Sequence, residues 1–397
     1  MILKINREML QDEVQGIGAH QASLPIFANK SEILPLKLLQ VRTPAANIIK
    51  QEMLAAGGDA VLPAGCVVCA EKYADILLLG TRKHYGLLLK KLAQMPYFGM
   101  DRIKTELEET LRPAALKTVL ADGRTLTYDK MCVMGILNIT PDSFYAGSRV
   151  PVAEQVVERA GRMLAGGAGI LDVGGESTRP GSDSVDGEEE RRRVLPVIEA
   201  LRRSYPEAVI SIDTYRADTA RAALAAGADI INDISAMEAD HQMADLAAES
   251  KAPIILMHMR GTPKNMQQNC EYGNVVEEVA CYLQQRAQVL RGKGVGADKI
   301  ILDPGIGFAK TVQQNLLLLR GLHTLTSFGY PVLLAASRKS TIGAVLGGIP
   351  AEERLPGTIA LSLQAVYAGA QLVRVHDVSE NVQAIRMLEA VLCPKNI

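Results

Sequence analysis

Long apolar runs are missing from this 397-residue sequence: no segment reaches the ~18 uncharged apolar residues that a membrane-spanning helix needs. The opening MILKINREML carries charges and lacks the apolar stretch of a secretory leader, so a cytoplasmic address is expected. Excess charge is missing too. Lys and Arg number 43 against 44 Asp and Glu, and a formal charge of −1 offers no basic surface for nucleic acid or an anionic membrane. The six cysteines are scattered, which fits a reducing compartment and not a disulfide framework. No internal repeat or low-complexity linker stands out. What is present, 48% hydrophobic and 22% charged residues, suits a soluble globular protein. The length exceeds most single cores, so one large domain beside a smaller one is expected.

From about residue 130 one pattern recurs. Short runs rich in Val, Ile and Leu alternate with longer segments of helical spacing. The runs are CVMGILNIT (132–140), GILDVGG (169–175), VISIDT (209–214), DIINDIS (229–235), PIILMHM (253–259), KIILDPG (299–305), PVLLAAS (331–337) and QLVRVHDV (371–378). Their nearly continuous apolar character predicts strands covered on both faces. The intervening segments are amphipathic, as in Val156, Ala160 and Met163, and glycines such as Gly167 and Gly227 suit left-handed caps. Eight such units predict a (β/α)8 barrel over residues 115–397. A doubly wound open sheet is the rival, and the absence of a long insertion favours closure. Just upstream, KTVLADGRTLTYD (117–129) reads as a hairpin about Asp122–Gly123, placed to plug the N-terminal mouth.

In a parallel barrel the loops beyond the strands' C-terminal ends carry chemistry, and here nearly every such end is polar. Strand one ends at Asn138 and Asp142, and strand two leads into Asp172, Glu176, Ser177, Thr178 and Arg179. Strands three to six end at Asp213, Asn232 and Asp233, His258, and Asp303. Strand seven leads to SRKS (337–340) and strand eight to Arg374, His376 and Asp377. Singly, each acid or amide reads as a helix cap, and His258 or His376 as a core histidine. Together they do not, because capping needs no Lys, Arg or His pointing into the mouth.

Two chemical groups separate. Asp213, Asn232, Asp303 and Lys339 mix donors and acceptors in the way that suits a flat, nitrogen-rich heterocycle. Arg374, His376, Thr178 and Arg179 offer cations and a hydroxyl for a phosphate or diphosphate. Asn138 and Asp142 are hard oxygen ligands suited to Mg²⁺ that keeps most of its waters. A heterocycle beside a metal-bound diphosphate suggests group transfer with diphosphate leaving.

NITPDSF, GGESTRPGS, SIDT, NDIS, DPGIGF, SRKS and VRVHDV, in this order over residues 117–397, resemble the dihydropteroate synthase family. The resemblance implies a TIM barrel that joins a 7,8-dihydropterin-CH₂ diphosphate to 4-aminobenzoate in folate synthesis, releasing diphosphate, and that works as a homodimer. It implies that Asn138 holds Mg²⁺ and that Arg374 and His376, with Thr178 and Arg179, grip the diphosphate. By the same resemblance Asp213, Asn232, Asp303 and Lys339 read the pterin with Phe308 beside it, and Phe144, Pro180 and Ser340 form the aminobenzoate pocket. Asp142, Thr178, Arg179, Asp213 and Lys339 are the candidate catalytic set, and the loops around Asp142 and Arg179 are expected to act as lids. One departure stands out: YAGSR follows TPDSF where the family often has Ser-Asp-Gly-Gly, so Ala146 removes a carboxylate from the first loop. A methyltetrahydrofolate:corrinoid methyltransferase-like barrel would share the acid and amide readers, but has little use for GGESTRPGS or SRKS. A non-enzymatic pterin-binding or scaffolding protein would not need every polar end filled.

Residues 1–114 follow another rhythm. Thr43 reads as N-cap with Pro44 at the first helical position, ADILLLG as a strand, and KHYGLLLKKLAQM and DRIKTELEETL as helices. A small α/β domain of packing or oligomerisation role is expected. CVVC, at Cys66 and Cys69, has metal or redox spacing without a second ligand pair, and reads as apolar strand cysteines. EEERRR (188–193) reads as the first turns of a solvated helix, with acids towards its positive end.

Overall fold

The computed structural model describes residues 3, 5, 9–112, 115–139, 152–176, 185–262, 264 and 266–394. Contacts divide the chain into two compact units, Met1–Pro113 and Ala114–Ile397.

The first unit is built on an antiparallel sheet of β1 (Leu34–Arg42), β2 (Asp59–Val61) and β3 (Tyr73–Gly80), with β3 in the middle. Ile76 and Leu78 of β3 alternate inward and join Ile49, Met53, Tyr85 and Leu88 of the covering helices in one apolar cluster. The helix Thr43–Ala56 starts at the residue expected to cap it, one position early. Arg42 takes the cap position and Pro44 lies in the first turn, while the Thr43 hydroxyl donates to the Glu71 carbonyl instead. Cys66 and Cys69 correct another expectation, for neither lies in a strand. Cys66 ends the short 3-10 turn Ala64–Cys66 and is buried, whereas Cys69 is exposed at φ +53°.

The second unit opens with a hairpin of β4 (Lys117–Val119) and β5 (Thr125–Thr127), turning at Asp122 and Gly123, where φ of +91° favours glycine. Eight parallel strands follow: β6 (Cys132–Asn138), β7 (Ile170–Gly174), β8 (Ile210–Asp213), β9 (Ile230–Asp233), β10 (Ile254–Met257), β11 (Ile300–Asp303), β12 (Leu333–Leu334) and β13 (Leu372–Val375). They pair in sequence from β6 to β11, while β13 pairs with both β6 and β12. The ring closes between β11 and β12, where the Leu302 N–H donates to the Pro331 carbonyl at 2.9 Å and Leu302 bridges Val332. This is the expected (β/α)8 barrel.

Alternation splits each strand between two cores. Outward residues such as Val133, Leu171, Ile212, Leu256 and Val373 pack against the surrounding helices. Inward, Met134, Ile170, Val209, Ile230, Ile255, Ile301, Leu333 and Leu372 form one apolar layer, closed from below by Leu120 of the hairpin with Leu126 and Tyr128. Polar ties hold the hairpin there. Lys299 Nζ donates to the Val119 carbonyl at 2.5 Å, and Arg124 donates to Asp122 and Asp229, both at 2.6 Å. The N-terminal mouth is therefore filled, and open polar chemistry belongs to the other end.

The helix Gly187–Ser204 carries EEERRR as read, capped by Asp186 accepting the Glu189 N–H at 2.8 Å, but it is not solvated throughout. Glu190 is buried and takes hydrogen bonds from Arg216 Nη1 at 3.0 Å and Thr219 Oγ1 at 2.8 Å.

Candidate functional site

Two residues beyond the apolar inner layer the barrel turns polar: Asp172, Ser211, Asn232, Asp303 and Arg374 occupy the inward positions of β7, β8, β9, β11 and β13. Strand stagger adds a row. Asn138, Gly174, Asp213 and Asn232 are register partners across β6, β7, β8 and β9, so they stand side by side about 4.8 Å apart. Gly174 leaves the room between: a Cβ there would lie 3.6 Å from Asp213 Oδ2 and 3.7 Å from Asn138 Oδ1.

Arg374 ties this row to the layer beneath. Its Nε donates to Asp172 Oδ2 at 2.5 Å and its Nη2 to Asp213 Oδ2 at 2.7 Å, while Asn232 Nδ2 donates to the same Asp172 oxygen at 3.1 Å. One guanidinium thus serves two buried carboxylates, which holds its own pKa up against the cost of burial. Burial pushes the Asp213 carboxyl up to about 7, with Arg374 opposing the rise and Asp172 adding to it. Asp172 Oδ1 and Ser211 Oγ are buried without a partner among the described residues. An unmet buried polar atom costs about 1–3 kcal/mol, which marks both as polar positions of the barrel interior.

Asp303 and Lys339 complete the inner wall. Burial raises the Asp303 pKa, and the charges of Lys339 and Arg374 work against that rise, so the three share one electrostatic neighbourhood. Lys339 Nζ donates to the Ile306 carbonyl and lies 4.5 Å from the centre of the Phe308 ring. Burial lowers its pKa to about 8, with Asp303 holding it up. Phe308 packs with Ile234, Met257 and Met266, which makes an apolar wall beside the polar one.

At the rim, His376 Nδ1 meets Ser337 Oγ at 2.9 Å, and that oxygen also accepts the His376 N–H at 3.2 Å. The pattern that uses each group once puts the imidazole proton on Nε2, a donor suited to an anion. Burial and the neighbouring Arg374 lower this histidine's pKa to about 4. The SRKS loop is pinned by Arg338, which sits at φ +55° and donates a two-pronged bond to Asp377 at 2.8 and 2.5 Å. Ser340 is exposed at the first position of the helix Ser340–Val345.

Not every polar strand end belongs to this mouth. Asp233 accepts from Ser235 N, Ser235 Oγ and Met237 N at 2.6–2.8 Å, so it caps its own loop. His258 is buried against Lys310 and the rings of Tyr272 and Tyr282, as a core histidine. Glu176 is engaged by Arg216 Nη1 at 2.8 Å and Tyr215 Oη at 3.0 Å; Arg216 also donates to the Val185 carbonyl, so it ties together both sides of the second loop. Asp142, Phe144, Ala146, Thr178, Arg179 and Pro180 lie outside the described residues.

Two residues near the site carry weak signals in the sequence. Asp172 reads as part of a loop, yet its place two residues after inward Ile170 already aims it into the barrel. Lys310, buried behind Asp303, carried no comparable signal. Among the described residues no three His, Cys, Asp or Glu side chains form a metal-holding group, and Asn138 offers one amide oxygen at the end of β6. That donor set fits a hard cation that keeps its waters and takes its remaining ligands from a substrate.

Residues 134–376 match the family model described as pterin binding enzyme. A dihydropteroate synthase of Synechocystis sp. is 45% identical over 279 residues, covering 70% of this chain and 95% of that protein. The Xanthomonas albilineans dihydropteroate synthase solved with 4-aminobenzoic acid superposes with a TM-score of 0.66 at 40% identity, covering 71% of this chain and 99% of that one. The same enzyme in complex with 7,8-dihydropteroate gives 0.63 at 38% identity, covering 69% and 98%.

Proposed function

The chain belongs to the dihydropteroate synthase family of pterin-binding enzymes, and from that premise we propose how its own residues join a 7,8-dihydropterin methyl diphosphate to 4-aminobenzoate. The observation that carries the reading is the convergence of Arg374 on Asp213 and Asp172, within the same electrostatic neighbourhood as Asp303 and Lys339. Acids and an amide face the nitrogen edge of the pterin, Phe308 flanks its apolar side, and the diphosphate meets the cations at the rim.

Asp213, Asn232 and Asp303 accept and donate along the heterocycle edge, while Lys339 presents an ammonium already oriented by Ile306 and Phe308. Arg374 and the Nε2 proton of His376 receive the charge that grows on the diphosphate as the methylene C–O bond breaks. Thr178 and Arg179 extend that grip. Asn138 would hold Mg²⁺, which supplies further charge neutralisation at the diphosphate when bound. The electron pair of the broken bond leaves with the diphosphate, and the methylene becomes cation-like beside Asp213 and Asp142. The aniline nitrogen of 4-aminobenzoate, held between Phe144, Pro180 and Ser340, then forms the C–N bond and loses its proton to solvent. Position matters more than base strength here, since an aniline lone pair is free at neutral pH.

A homodimer belongs to the same proposal, and Val289, Val312, Leu316, Val345, Tyr367 and Met387 of the barrel helices are exposed apolar side chains available to such a contact. No helix of the described residues is long and apolar enough to cross a membrane, in keeping with a proposed cytoplasmic address.

The test is direct. The full chain with pterin diphosphate, 4-aminobenzoate and Mg²⁺ should release diphosphate and form 7,8-dihydropteroate in equal amounts, and omitting 4-aminobenzoate should stop product formation. Methyl transfer from methyltetrahydrofolate to a corrinoid, without diphosphate release, would sink the reading.

A further inference from the structure

One buried cation is absent from the mechanism above. Lys310 is only 3% exposed, and its ammonium is spent wholly on protein: His258 Nδ1 and the Gly305 carbonyl at 3.0 Å, the Phe308 carbonyl at 2.9 Å, and the His258 carbonyl at 3.4 Å. Taking an ammonium out of water costs several kcal/mol before its bonds offset the loss. Burial, with the charges of Lys339 and Arg260 adding to it, lowers its pKa to about 7, while Asp303 opposes the fall. A surface turn of the same shape would need no such group, so the turn that Lys310 holds is the place to look.

That turn is Gly305–Phe308, and it is bonded at almost every backbone atom. The Gly305 N–H donates to Asp303 Oδ1 at 2.7 Å, and the Phe308 N–H to the Gly305 carbonyl at 3.1 Å. The Gly307 N–H donates to Asn315 Oδ1 at 2.8 Å, and Asn315 Nδ2 in turn donates to the Lys310 and Thr311 carbonyls at 3.3 and 2.9 Å. Gln267 Nε2 takes the Gly307 carbonyl at 3.2 Å. Gly305 and Gly307 take positive φ, at +67° and +84°, which glycine adopts without strain, whereas Ala309 at +51° keeps a conformation that its surroundings must impose.

The one remaining carbonyl of the turn, that of Ile306, accepts from Lys339 Nζ, and the turn's only aromatic ring lies under the same ammonium. Both described contacts of the Lys339 headgroup are therefore made to this turn. Held by Lys310 from the carbonyl side and by Asn315 from the N–H side, the turn becomes the seat on which Lys339 is aimed.

We propose that Lys310, seated on His258 and working with Asn315, is a positioning residue for the pterin half of the site: it locks Gly305–Phe308 so that Ile306 and Phe308 hold Lys339 against the heterocycle. The inference rests on the functional reading above and adds residues that touch no substrate. Lys310 as an ammonium donates to the Gly305 and Phe308 carbonyls and its third proton meets His258 Nδ1, an arrangement that assigns the imidazole proton to Nε2.

The experiment measures steady-state kinetics of the full chain and of Lys310→Met and Asn315→Ala, each also combined with Lys339→Met. The expected result is a KM for the pterin diphosphate raised about ten- to hundredfold in each single variant, as for a small misplacement of a binding group. The KM for 4-aminobenzoate should stay within about twofold in the same variants. In the Lys339→Met background, Lys310→Met should add little further loss, because both changes remove the same contact. The inference is overturned if Lys310→Met lowers the unfolding midpoint but leaves both KM values unchanged, or if its effect multiplies in full with that of Lys339→Met. Should Lys310→Met fail to fold, Asn315→Ala decides by the same criteria, since it holds the same turn from the opposite side. A wild-type chain without 4-aminobenzoate-dependent diphosphate release would overturn the functional reading and this inference with it, whereas an active wild type with unaltered variants overturns the inference alone.

Discussion

At the scale of single residues, the site is a balance between buried carboxylates and the cations that share them. Arg374 bonds both Asp172 and Asp213, and the second is pushed up to about 7 chiefly by burial. A carboxyl whose folded pKa lies above its ordinary value binds its proton more tightly when folded. Its contribution to stability is present in full below about pH 4 and is lost as pH rises through about 7. Asp213→Asn keeps the shape and removes the titration. Stability of the variant relative to wild type should therefore climb between about pH 4 and pH 7, by up to about 4 kcal/mol, since each pKa unit is worth about 1.4 kcal/mol. Urea unfolding of both proteins at several pH values reads this difference, and a difference that stays flat would show that Arg374 neutralises Asp213 completely. The same substitution should weaken pterin binding, because an amide offers one acceptor where the carboxylate offers two.

At the scale of elements, glycines decide how close the loops approach the site. A Cβ on Gly305 would sit 2.0 Å from the His258 carbonyl oxygen, and the residue's φ is +67°. Gly305→Ala cannot be absorbed by rotating a side chain, because the obstructing atom is backbone. The turn has to move, taking Ile306 and Phe308 with it. We expect a stability loss of about 1–3 kcal/mol from the strain. We also expect kcat/KM to fall by more than tenfold, since misplacement near the chemistry costs about a hundredfold per ångström. Thermal unfolding and steady-state kinetics on one sample separate the two effects, and a variant with wild-type kcat/KM would mean that the turn tolerates displacement.

At the scale of the whole barrel, stability and chemistry occupy opposite ends. Leu120 of the hairpin is 1% exposed and joins the inner apolar layer contributed by seven barrel strands and by Val209 just before β8. Leu120→Ala should cost about 2–5 kcal/mol, the range for emptying a well-packed leucine site. Folded enzyme should keep its kcat and both KM values, because the polar mouth is built from the other ends of the same strands. A change in pterin KM in this variant would show that the two ends are coupled through the barrel wall.

What was readable in advance follows from which interactions are local. Strand-length, nearly continuous apolar runs are written into neighbouring residues, so eight strands, the hairpin and the polar C-terminal ends could be read directly, with Asp213, Asn232 and Asp303 placed at those ends. Local patterns misled where long-range contacts took over: Thr43 bonds Glu71 and not its own helix, and Glu190 in EEERRR is buried beneath Arg216. Likewise Asp233 and His258, though at strand ends, are turned to loop capping and to Lys310. The sequence by itself determined the number and order of the strands and that their C-terminal ends are polar, because strand-length apolar runs and the residues that close them are local features. Only the tertiary structure decided that Arg374 meets Asp172 and Asp213, 202 and 161 positions away, and that Lys310 sits behind the site and not in it. Strand stagger and barrel closure choose those neighbours, and no segment of the chain encodes them alone.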